Sequence, residues 1–266
     1  MNWLLLLLAA ALPLSAQTDL LDRGYRQMYN LDFEGAHRTF REYQNRKPAD
    51  PLGPVSDAAA YLFSEFDRLS ILQSEFFVDN NSFFSMRRSK ADPAAKAEFD
   101  RDLHRSEELT LAVLATAPDD ANALLASVMR RGLRADYLSL IEKHDMAALT
   151  EVKQGRNIAE RLLAKHPDCY DGYLAIGVEN YLLSLKPAPL RWILRAGGAQ
   201  TDKDAGIAKL RLTADKGRFL KPYALLLLAV AALRDHNRPE AVRLLNGLSS
   251  EFPQNRLYRE ELARLR

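Results

Sequence analysis

Glu34-Gly35-Ala36-His37 places a carboxylate and an imidazole three residues apart, the Glu-x-x-His spacing of di-iron helix bundles. Such a centre needs a second copy and further carboxylates, and no other Glu precedes a His by three. The pair therefore reads as the solvated start of a helix. His104-Arg105-Ser106-Glu107-Glu108 begins like a zinc motif but lacks the second histidine that zinc requires. His144, His166 and His236 fall at expected helix ends, where a cation favours the helix dipole. Gly197-Gly198 marks a turn, since no Gly-Lys-Ser/Thr follows to form a phosphate loop. Cys169, the single cysteine, reads as a small buried hydrophobe. These spacings predict no catalytic residue, metal or cofactor, and a chain that is not an enzyme.

The elements that would carry any other role begin after residue 16. Leu4 to Leu8 and Ala9 to Ala11, followed by Leu12-Pro13-Leu14-Ser15-Ala16, form a short apolar run ending in small residues. That is the pattern of a secretory signal, too short to span a bilayer. The expectation is a signal peptide over 1–16 and one domain over 17–266, in the periplasm or outside the cell. No cysteine adjoins the cleavage point, so no lipid anchor is expected. One cysteine allows no internal disulfide, and packing must supply the stability. With 37 basic and 35 acidic side chains the net charge is +2, which gives no basis for nucleic-acid binding. A hydrophobic content of 47% excludes a disordered chain.

Proline, with Asp or Asn close behind, recurs at Pro48, Pro118, Pro167 and Pro253, where one helix should stop and the next be capped. Numbered from Gln17 to Asp50, one stretch carries Gly24, Ala36, Phe40 and Pro48 at places eight, twenty, twenty-four and thirty-two. This resembles the tetratricopeptide repeat, a helix–turn–helix unit of 34 residues. Small residues at places eight and twenty let two antiparallel helices approach, Phe40 is expected to fill the space between units, and Pro48 stops the second helix. The spacings between the prolines are not multiples of 34, so the units are degenerate. Helices are predicted near 18–30, 33–46, 54–77, 93–116, 119–143, 146–165 and 168–185. A short one near 188–195 precedes others near 201–216, 220–235, 238–250 and 254–265. The reading is all-α, and the resemblance implies a right-handed superhelix of about five helix pairs, with an extra short helix and a C-terminal capping helix.

Tyr173-Leu174-Ala175-Ile176-Gly177, Tyr181 to Pro187, Ile193 to Gly198 and Asp204-Ala205-Gly206 follow in an order similar to the inclusion-clearance family of tetratricopeptide proteins. The likeness covers 172 to about 255, and it implies a helical scaffold without an established active site. Pro222 to Leu233 is apolar all round and is expected to form the most buried helix.

Places five and nine of the first unit are Leu21 and Tyr25, so the Lys and Asn of a carboxylate clamp are missing. Places that line a concave surface are mostly apolar or aromatic: Tyr25, Met28, Tyr29, Phe63, Leu125, Met129, Leu174 and Tyr181 among them. Two outcomes follow. The groove is an open trough for a partner's amphipathic helix or apolar tail, or the chain's own later helices fill it. The predicted role is a protein-interaction scaffold. The alternative is a carrier holding a hydrophobic small molecule or lipid in an enclosed cavity. Phe83 and Phe84 beside Arg87, Arg88 and Lys90 could instead dock 83–90 on a membrane surface or an acidic partner. Arg130, Arg131 and Arg134 read as a solvated basic helix face.

Overall fold

A computed structural model describes residues 19–71, 90–185, 198 and 200–266, and every regular element among them is helical. The α-helices are α1 Leu20–Tyr29, α2 Phe33–Arg46, α3 Leu52–Arg68, α4 Pro93–Thr116, α5 Ala121–Asp136 and α6 Asp145–Lys165. They continue as α7 Tyr173–Ser184, α8 Lys203–Lys216, α9 Lys221–Arg234, α10 Arg238–Glu251 and α11 Arg256–Arg264. A π-helical turn, Tyr137–Ile141, extends α5, and a 3-10 turn, Tyr170–Gly172, leads into α7. The expected signal peptide over 1–16, the expected short helix near 188–195 and the Phe83–Phe84 pair fall outside the described residues.

Local chemistry sets the boundaries. The side chains of Asp50, Asp120 and Asn255 accept hydrogen bonds from the backbone N–H groups of Leu52, Ala123 and Leu257 at 2.9–3.0 Å. Each meets one orphan donor of the helix that follows its proline. The Pro167 cluster behaves differently: Asp168 offers its backbone carbonyl to Tyr170 N–H at 2.9 Å, and the chain tightens into the 3-10 turn.

Small residues control how closely helices approach. A Cβ on Gly24 would lie 2.3 Å from Cε1 of Phe40, a ring that is wholly buried. Places eight and twenty-four of the repeat frame are thus in direct contact. At the α7–α8 crossing, a Cβ on Gly206 would stand 2.6 Å from the backbone nitrogen of Tyr181, so only glycine allows that approach.

Each helix packs on the next in chain order, and α3 also touches α1 and α5, forming an inner row. The last third of the chain then returns to the first. Tyr29 Oη donates to the Phe219 carbonyl at 3.0 Å, and Asn255 Nδ2 donates to the Tyr29 carbonyl at 2.9 Å. Arg218 forks onto Asp22 at 2.8 and 3.0 Å, and Arg256 pairs with Asp67 at 2.8 Å. The helical array closes on itself. Helix α9 is not the most buried element: 13 of the 17 residues of α3 are buried, against 8 of the 14 of α9. The reason is position, because α3 is wrapped by α1, α2, α4 and α5.

Candidate functional site

The predicted concave side chains that are described lie in the core or against it. Tyr25, Met28, Tyr29, Phe63, Leu125, Met129 and Tyr181 are buried, while Leu174 is half-buried against the same cluster. The rings of Tyr25 and Phe219 stack with centroids 4.9 Å apart, and Tyr29 meets Phe252 at 5.5 Å. Phe63 packs edge-on to Tyr223, also at 5.5 Å. Phe219, Tyr223 and Phe252 come from the returning C-terminal third, so the chain fills its own groove. Of the two outcomes for the groove, these residues take the self-filled one; aromatic burial of this size outweighs leaving the face to solvent.

Glu34 stays exposed and lies 3.8 Å from Arg38, while His37 turns inward to Asp57, Nδ1 to Oδ1, at 2.5 Å. The pair is not the solvated helix start that its spacing suggested. Asp57 is 1% exposed and has Arg41 Nε 3.6 Å from its second oxygen. Asp–His pairs of this kind orient an imidazole for proton transfer. Here the ring lies 4.0 Å from that of Tyr61, whose hydroxyl already accepts from Arg41 at 2.8 Å. The arrangement clasps α2 to α3. Asp102 of α4, also buried, takes Arg101 on one oxygen at 3.4 Å, and its other oxygen has no hydrogen-bond partner among the described residues. Burial, reinforced by the negative charge of Asp57, pushes its carboxyl up to about 6.

Asp136, at the end of α5, accepts from Tyr223 Oη at 3.1 Å, and burial pushes it up to about 7. Glu179 pairs with Arg156 at 2.7 Å, and burial raises its pKa. Beside them Asn180 holds Gln200 and the Asp202 N–H at 2.8 and 3.2 Å, anchoring the chain where it enters α8. Asp171, in the 3-10 turn ahead of α7, accepts the backbone N–H groups of Arg218, Phe219 and Leu220, each at 3.0 Å. Of the expected solvated face, Arg130 is buried and Arg131 half-buried, and only Arg134 is exposed. Arg130 pairs with Glu107 at 2.7 Å, and the other two share Glu151 at 2.7 and 3.0 Å. Cys169 is half-buried with a free thiol, and burial pushes it up to about 11. Sequence reasoning passed over Asp57, Asp102, Asp136 and Glu179. For Asp57 the signal was one acid within the run Val55 to Ala60, whereas Asp102, in the charged stretch Glu98 to Arg105, carried none. Among the described residues no three His, Cys, Asp or Glu side chains are placed to hold a metal ion.

At the seam where the chain closes there is a cleft of about 360 Å³. One face of α1, with Arg23, Arg26, Gln27 and Asn30, forms one side, joined by Asp32 in the turn after it. Glu251, Pro253 and Gln254, at the turn from α10 to α11, form the other. The Gln254 N–H donates to Asn30 Oδ1 at 3.2 Å, tying the two sides together. Arg26 holds its guanidinium 6.0 Å from the Phe252 ring centroid. The cleft is lined by charges and amides rather than by the apolar groove residues.

In comparison with known proteins, the chain matches no family model, no curated protein and no solved structure.

Proposed function

We propose that the protein is an exported, non-enzymatic scaffold of tetratricopeptide type that meets protein partners on its outer faces. The observation that carries this reading is the packing of helices in chain order, with an inner row, around a contact between repeat places eight and twenty-four. Units that touch mainly their neighbours leave long outer surfaces free for recognition. The inner apolar face is already taken by Phe219, Tyr223 and Phe252, which moves any partner outward. It also weakens the alternative, a carrier of hydrophobic ligands, whose cavity would be lined by those same rings. Among the described residues the large apolar side chains that remain exposed are Leu111, Met146, Leu182 and Leu185, the last two one helical turn apart at the end of α7. These are the proposed contact positions.

A photo-crosslinking side chain placed singly at Met146, Leu182, Leu185 and Tyr25 tests the reading in the exporting host. A discrete adduct from an outer position, with none from Tyr25, supports it. Adducts confined to Tyr25, or none from any position, refute it.

A further inference from the structure

The seam cleft has a chemistry of its own, independent of the scaffold reading. Four charged side chains line it, and two are already committed. Arg23 donates to Glu42 at 2.7 Å, and Asp32 caps α2 by accepting the Gly35 N–H at 2.9 Å. Arg26 and Glu251 remain. Neither makes an ion pair among the described residues, and they come from opposite sides of the cleft. The Phe252 ring beside the Arg26 guanidinium limits the conformations of that side chain, so a ligand forfeits less entropy in ordering it. The Asn30–Gln254 hydrogen bond holds the two sides at a set separation.

A cation and an anion facing one space select a ligand that carries both complementary charges. A polyanion such as a nucleotide would meet Glu251 and Asp32 unfavourably, and a simple amine would leave Arg26 without a counter-charge. At about 360 Å³ the cleft is near the lower end of small-molecule sites, the scale of an amino acid or dipeptide. We propose that the seam cleft binds a small zwitterion of the amino-acid or dipeptide class, its carboxylate on Arg26 and its ammonium on Glu251. A guanidinium suits the first contact because its planar donor pair matches two carboxylate oxygens.

The test is calorimetric titration of the full chain with three probes: alanyl-alanine, its N-acetylated form and its C-terminal amide. The free dipeptide should bind saturably in the millimolar range, and each blocked form about tenfold more weakly. Arg26→Gln should weaken the free dipeptide about tenfold and leave the amide unchanged. Glu251→Gln should do the same with the acetylated form as the indifferent probe. Both side chains are at the surface, so an unchanged thermal midpoint checks that each variant is folded. Absence of saturable binding, equal binding of all three probes, or variants that discriminate as the parent does would each overturn the proposal.

Discussion

Asp102→Asn should stabilise the protein, and the gain should depend on pH in a stated direction. Asp102 lies on the face of α4 turned to α3, 4% exposed, near the buried carboxylate of Asp57. Its carboxyl is pushed from 3.8 to about 6, so the fold prefers the protonated form. For a pKa raised on folding, stability is complete below the unfolded value of 3.8 and is lost as pH rises to about 6. A shift of about two units corresponds to a ceiling of about 3 kcal/mol above that window. Arg101, itself more than half exposed, brings solvent to the site, so roughly half that figure, about 1.5 kcal/mol, is the expected cost. Asparagine has the shape of the protonated acid and carries no charge to desolvate. Urea unfolding followed by circular dichroism should show a midpoint about half a molar higher for the variant at pH 8. The gain should shrink steadily as pH falls through 5 to 4. A variant no more stable than the parent at pH 8, or a gain that ignores pH, would refute the reasoning.

Other changes probe the remaining contacts. Gly24→Ala forces a Cβ against the wholly buried Phe40 ring and should cost about 1–3 kcal/mol, read as a lowered thermal midpoint. Asp171→Ala strips the acceptor from three backbone N–H groups and should cost about 2–4 kcal/mol, while Asp171→Asn, which keeps one acceptor oxygen, should recover part of it in the same denaturation assay. Asp136→Asn should raise the urea midpoint most above pH 7, with the gain shrinking as pH falls and vanishing near pH 4, because burial pushes the folded carboxyl from 3.8 up to about 7 and the parent loses stability across that whole window.

Much of the secondary structure was legible because it is local. Helix spans read from proline stops, Asp or Asn caps and apolar spacing coincide with α2 and α4, and fall within a few residues for most others. The small residue at Gly24 was legible as a point of close helix approach, but its contact with Phe40 was not, since the ring was expected between units and packs within its own. Candidate sites were less so. His37 was read with its chain neighbour Glu34, but its partner is Asp57, twenty residues away on another helix. No spacing rule links them; the crossing of α2 and α3 does.

The chain by itself determined an all-helical protein, where its helices stop, and an apolar face running along several of them. What covers that face was decided only in three dimensions. An apolar helix face awaiting a partner and one awaiting the chain's own later helices have the same composition, because both are driven by removing apolar surface from water. The choice rests on contacts such as Tyr29 with Phe219, 190 residues apart, and Arg218 with Asp22, 196 residues apart. They form only after every intervening helix crossing has set the path of the array. The polar seam cleft is a product of the same closure, with Arg26 near the start of the chain and Glu251 near its end.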